Sequence, residues 1–229
     1  MALEWYESDV RGLEKEAKQL PRTAAVFYGS SSIRMWETLA ADLDSDSVVN
    51  RGFGGSTLEA CSYFFERLVV PLRPRSLVLY AGDNDLGDGR TPEQVFGFFR
   101  SFMAKFDALL PGRPFAFISV KPSPARIGIV DRIQKVNDLV RGEISGRRNS
   151  YFIDVFSVML QADGAPRRDL YLEDGLHLGA AGYRVWTQQI WPYRKRLLIG
   201  PTPDSHTNSV PSLEGESGIS QVVQHTAKP

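Results

Sequence analysis

Five short runs dominated by consecutive apolar or β-branched residues, at 24–28, 47–50, 76–80, 115–120 and 151–155, recur along this 229-residue chain. Each is unbroken rather than alternating, the pattern of a strand covered on both faces, and that restricts the sheet they form to a parallel one sandwiched by helices. The segments between them, 34–42, 57–69, 92–110, 127–143 and 180–198, carry helical spacing. Thr91-Pro92-Glu93 starts one with proline at its first position, and Pro111-Gly112 stops it. Strand and helix in alternation predict an α/β fold, a three-layer α/β/α sandwich with a central, mainly five-stranded parallel sheet.

Residues 1–199 read as one domain, opened by a helix over 1–20 whose Leu13, Ala17 and Leu20 share one side and cover the body. From 200 to 229 the chain has no aromatic residue and is rich in Ser, Thr, Gly and Pro, so a flexible tail is expected there. Lys plus Arg and Asp plus Glu both number 27, which leaves no global charge to draw nucleic acid. Cys61, the single cysteine, excludes an intrachain disulfide and a cysteine-based zinc cluster, and it is expected buried on a helix. The charged N-terminus has no apolar stretch of a secretory leader, and no segment approaches the roughly 20 apolar residues of a membrane span. These features predict a cytoplasmic protein and leave its oligomeric state open.

In an open parallel sheet, ligands bind beyond the carboxyl ends of the strands. The first such end reads VFYGSSSIRMW, where three serines follow Gly29. Serine after glycine is ordinary turn chemistry, so these residues are either loop filler or hold a nucleophile. Of the three histidines, His206 and His225 fall in the expected tail, leaving His177 in the body, with Asp174 three residues before it. Asp-x-x-His on a loop can turn the carboxylate onto Nδ1 and leave Nε2 as a base, so an activated serine would depend on His177.

Two more loops on the same edge offer donors. In NRGFGGST, residues 50–57, glycines permit close backbone approach to a ligand; in YAGDNDL, Asn84 presents two side-chain N–H groups. A glycine turn and an Asx turn are the plain readings of each. Asp83 and Asp85 lack further ligands at metal spacing and read as a hydrogen-bonded turn. Asp154, which follows the apolar residues 151–153 of the fifth run, reads as a brace or cap rather than a triad acid.

The four blocks in this order resemble the SGNH hydrolase superfamily, the GDSL esterases and lipases, over about residues 22–195. The resemblance implies a nucleophile at Ser31, with Ser30 standing where the namesake Asp usually is. It implies an oxyanion hole from the Ser31 and Gly55 backbone N–H groups and the Asn84 amide, and a triad completed by Asp174 and His177. It implies a serine esterase that hydrolyses carboxylic esters through an acyl-enzyme, with a small-molecule ester as its partner and with no metal or cofactor. No long apolar insertion separates the blocks, which favours short acyl chains. Carbohydrate O-acetyl esterase, thioesterase and lysophospholipase share this mechanism, and a non-catalytic sugar- or lipid-binding domain is the alternative from another class. A nucleotide cradle at GFGGST lacks the G-x-x-x-x-G-K-S/T pattern.

Ser30, Phe53, Lys121 and Arg126 are the candidate substrate contacts. The competing readings are turn formation for Ser30, core packing for Phe53 as for Trp36 and Tyr80, and solvated charge for Lys121 and Arg126.

Overall fold

The computed structural model describes residues 3–199; the expected tail from 200 onward lies outside them. Five strands, β1 (Ala25–Gly29), β2 (Val48–Gly52), β3 (Ser76–Tyr80), β4 (Phe115–Ile118) and β5 (Ser150–Ile153), form one sheet in the order β2-β1-β3-β4-β5. Every pairing is parallel. The helices are α1 (Glu7–Glu16), α2 (Ser31–Arg34), α3 (Leu39–Asp42), α4 (Leu58–Leu68), α5 (Asp83–Gly87), α6 (Pro92–Leu109), α7 (Val130–Ser145) and α8 (Ala180–Ile190).

Successive strand residues feed opposite faces. Val26, Tyr28, Leu77, Leu79, Phe115 and Phe117 join a phenylalanine-rich core with α1, α4, α6 and α7. Ala25, Phe27, Val78, Tyr80, Ala116 and Ile118 join a second core with α2, α3 and α8, built around Trp36 and Trp186. Both faces are therefore dry, which is why the strands read as unbroken apolar runs. Cys61 is buried on α4. No helix among the described residues is long and apolar enough to cross a membrane.

The departures from expectation occur where polar side chains take over backbone groups or where a proline breaks the ladder. The expected helix at 34–42 is two single turns, α2 and α3. Tyr183 Oη donates to Ser32 O (3.0 Å) and Asn50 Nδ2 to Ile33 O (2.5 Å), so α2's carbonyls are claimed from outside, while Trp36 Nε1 and Thr38 Oγ1 both donate to Asp42 Oδ2. β4 stops at Ile118 because the Asn137 amide brackets Val120, accepting from its N–H (2.8 Å) and donating to its C=O (2.9 Å). The last helix ends at Ile190, and Trp191-Pro192-Tyr193 forms a 3₁₀ turn where Pro192 interrupts the ladder.

β2 runs on through Arg51, whose guanidinium is buried. Its Nη2 donates to Leu13 O (2.7 Å) and its Nε to Leu68 O (3.3 Å), so one cation serves the C-terminal carbonyls of α1 and α4.

The strand order reverses between β1 and β3, the position where a parallel sheet opens a crevice at its carboxyl edge. The serine run follows β1, the glycine loop follows β2 and Asn84 follows β3. Gly29, at φ 141°, lies so close to β3 that a Cβ there would sit 1.8 Å from Tyr80 O. Only glycine lets the chain leave β1 toward Ser31 at that approach.

Candidate active site

Ser31 is the first residue of α2, directly after the buried Ser30, whose N–H is fixed on Tyr80 O (3.0 Å). A helix cannot satisfy its first N–H groups internally, and among the described residues Ser31 N–H has no backbone acceptor. Its hydroxyl lies 3.1 Å from His177 Nε2, across 146 residues of sequence. His177 Nδ1 lies 2.6 Å from Asp174 Oδ2.

The protonation pattern follows from these contacts. Asp174 Oδ1 also accepts the N–H groups of Leu176 (2.8 Å) and His177 (3.0 Å). The hydrogen bond from His177, reinforced by those amides, holds the Asp174 carboxyl down at about 2. An ionised carboxylate only accepts, so Nδ1 carries a proton, and in the neutral imidazole Nε2 is the nitrogen that presents its lone pair to the serine hydroxyl.

The loop carrying this pair is bound by its surroundings rather than by burial. Arg168 donates from Nη1 to Leu172 O (3.0 Å) and from Nη2 to Glu173 O, and Gly175 turns the chain at φ 66°. Gly175 O accepts from Ala125 N–H (3.0 Å), tying the loop to the 3₁₀ turn Pro124–Ile129.

The glycine loop sits against the N-terminal segment. Tyr6 Oη donates to Gly55 O (3.1 Å), and Asp9 Oδ2 accepts from Gly54 N–H (3.3 Å) and from Arg34 Nη1 (3.0 Å). The expected covering helix thus also joins the glycine loop to the turn that bears Ser31. Gly55 has φ 64°, and its N–H has no backbone acceptor among the described residues. Downstream, Asp85 accepts Leu58 N–H with both oxygens (3.2 and 2.9 Å) at the start of α4. Burial raises its carboxyl to about 7. Asn84 Nδ2 donates to Ser56 O (3.0 Å).

Ser31, Gly55, Asn84, Asp174 and His177 are all at least partly open to solvent. Ser30, Phe53, Lys121 and Arg126 are a different matter. Ser30 is sealed beneath α2, and Phe53 is fully buried edge-on to Tyr6 and Phe64. Lys121 is buried 3.2 Å from Asp83 Oδ2, because an ammonium brought out of water needs a paired carboxylate. Arg126 points the same way, with Nη1 3.3 Å from Asp83 and Nη2 2.9 Å from Asn84 Oδ1. The substrate contacts expected of Ser30, Phe53 and Lys121 are therefore corrected by burial, and Arg126 turns to the site's own scaffold.

Asp154 braces a loop, accepting from Ser157 N–H and Oγ and from Arg141. Among the described residues no group of three His, Cys, Asp or Glu side chains could hold a metal ion. Sequence reasoning missed Tyr6, Asp9 and Arg168. Tyr6 and Arg168 bond to backbone carbonyls, 49 residues away for Tyr6, and Asp9 bonds to a backbone N–H 45 residues away as well as to Arg34; a backbone partner leaves no residue-type signal.

A serine hydroxyl, an imidazole and a carboxylate in line at the carboxyl edge of a parallel α/β sheet define the class of a serine hydrolase. Residues 23–185 match the GDSL-like Lipase/Acylhydrolase family, and the chain belongs to it. It is accordingly a hydrolase of ester bonds. Among curated proteins, it is 27% identical to platelet-activating factor acetylhydrolase IB subunit alpha1 of Pongo abelii over 186 residues, 76% of each chain.

Among solved structures, a GDSL-like lipase from Bacteroides thetaiotaomicron superposes with a TM-score of 0.69 at 23% identity, covering 82% of this chain and 98% of that one. An acetylxylan esterase from Geobacillus stearothermophilus does so at 0.61 and 12% identity, covering 76% and 94%. These structures share the fold.

Proposed function

We propose that the protein is a serine esterase that removes short acyl groups, acetyl foremost, from carboxylic esters by way of an acyl-enzyme. The observation that carries this reading is the unbroken line from Ser31 Oγ to His177 Nε2 (3.1 Å) and from Nδ1 to Asp174 (2.6 Å). Ser31 Oγ attacks the ester carbonyl carbon while Nε2 takes its proton, and the carbonyl π electrons move onto oxygen. The Ser31 and Gly55 N–H groups and the free Nδ2 proton of Asn84 receive that oxyanion. Collapse expels the alkoxide, which takes the proton from Nε2. A water then gives a proton to Nε2 and attacks the acyl carbon, and the second collapse returns the proton to Ser31 Oγ and frees the carboxylic acid.

Asp174 remains charged throughout and stabilises the imidazolium. The preference for short chains is supported by the absence of a long insertion between the site-bearing loops, and by the acetyl esters named for the mammalian relative and the Geobacillus enzyme.

The test is hydrolysis of p-nitrophenyl acetate and butyrate by wild type, Ser31→Ala and His177→Ala, with fluorophosphonate labelling of each. Turnover and labelling by wild type, with both variants reduced by about 10⁴-fold or more while folded, are expected. An inert, unlabelled wild type would instead leave a binding domain, and full activity in Ser31→Ala would move the nucleophile elsewhere.

A further inference from the structure

Asn84 has two hydrogen-bonding ends, and the structure assigns each to a partner of fixed polarity. Its Oδ1 accepts from Arg126 Nη2 (2.9 Å), and its Nδ2 donates to Ser56 O (3.0 Å). A guanidinium has only donors and a backbone carbonyl only accepts. Turning the amide over would oppose donor to donor and acceptor to acceptor, so one orientation is enforced. In that orientation Nδ2 keeps one proton uncommitted. The charged hydrogen bond at Oδ1 also draws electron density from the amide, which strengthens the remaining N–H as a donor.

Arg126 is itself held for this task. Its side chain is 17% exposed, and Nη1 lies 3.3 Å from Asp83 Oδ2, an ionic contact that Asp83 shares with the buried Lys121. The guanidinium passes so close to Gly87 that a Cβ there would sit 2.9 Å from it. The turn bearing Arg126 is anchored by Ala125 N–H on Gly175 O, within the loop of Asp174 and His177.

We propose that Arg126 is a positioning residue for ester hydrolysis: it locks and polarises the Asn84 amide as an oxyanion donor and makes no contact with substrate. This rests on the reading of Asn84 as such a donor. It also gives the Asp83-Lys121 pair a function, since that pair sets where the guanidinium lies.

The test is a double-mutant cycle on p-nitrophenyl acetate, with kcat, KM and Tm measured for wild type, Asn84→Ala, Arg126→Met, Arg126→Lys and both Arg126 variants in the Asn84→Ala background. Lysine keeps the charge beside Asp83 but cannot fork to Asn84, so Arg126→Lys holds the fold if Arg126→Met does not. Asn84→Ala is expected to lower kcat by about 10²–10³-fold. Each Arg126 variant is expected to lower it by about 10–10²-fold with KM within about twofold, and to cost nothing further once Asn84 is alanine.

An unchanged kcat in Arg126→Lys and Arg126→Met overturns the proposal, as does a loss that appears in KM, which would mean a substrate contact. A loss that persists undiminished in the Asn84→Ala background also overturns it, because Arg126 would then act without Asn84. Full kcat in Asn84→Ala is a different failure: it removes the oxyanion reading itself, and the Arg126 proposal with it.

Discussion

The two halves of the proposed active centre are built differently. On the nucleophile side, Ser31, Gly55 and Asn84 leave the ends of strands and are tied into the cores: Ser32 O by Tyr183, Ile33 O by Asn50, and the start of α4 by the buried Asp85. On the base side, Asp174 and His177 ride a loop whose acid is exposed, braced by Arg168 and by its own amides. The donors proposed to meet a developing charge without reorganising are thus bound to rigid elements. The proposed base is aligned mainly by local hydrogen bonds, with one tie to the Pro124–Ile129 turn through Ala125 N–H on Gly175 O. A mutation on the first side should cost fold and rate together, and one on the second side rate alone.

The largest effect expected on the base side is that of Asp174→Asn. An amide in place of the carboxylate can favour the wrong imidazole tautomer, and kcat should fall by about 10⁴-fold with Tm little changed. A comparable fall in thermal stability would break the contrast. Arg168→Ala comes next: releasing the Leu172 and Glu173 carbonyls lets His177 drift, and a displacement near 1 Å can cost up to about 10²-fold in kcat.

Asn50→Ala is the matching change on the other side. It strips the acceptor of Gly52 N–H and the donor to Ile33 O, and should lower stability by about 1–3 kcal/mol in denaturant titration while slowing turnover. If Arg168→Ala is the more destabilising of the two, the assignment of rigidity is reversed.

The same division explains what the sequence made legible. Strand cores were readable because burial on both faces leaves an unbroken apolar run, as in Ala25–Tyr28 or Ser76–Tyr80. Their ends were not, because Asn137 closes β4 and the buried Arg51 extends β2, and a lone polar residue does not announce its partner. His177 stood out because the body holds one histidine, and the serine run because it falls on the ligand edge; the choice of Ser31 among three serines came from the family resemblance. Lys121 and Arg126 read as charges beside a site, and only the fold brings Asp83 between them, about 40 residues away. The N-terminal segment read as a cover, yet Tyr6 and Asp9 bond to backbone atoms of the glycine loop, which sequence pattern does not encode.

The smallest effect sharpens the comparison through pH. Asp85 lies on the buried side, and burial raises its carboxyl from the ordinary 3.8 to about 7. Between those values the folded protein holds a proton that the unfolded chain has released, so stability should fall as pH rises through that window and level off above it. Asp174 behaves oppositely: held at about 2, its contribution is present above the ordinary carboxylate range and is lost only as pH falls toward 2. The two windows do not overlap. Asp85→Asn keeps an oxygen to accept Leu58 N–H and removes the titration. Urea unfolding at pH 5 and pH 8 should therefore show the variant gaining on wild type at the higher pH, by at most a few kcal/mol. An identical pH slope in both proteins would mean that Asp85 is ionised in the fold at both values, with the start of α4 and the glycine loop ahead of it held by a full charge.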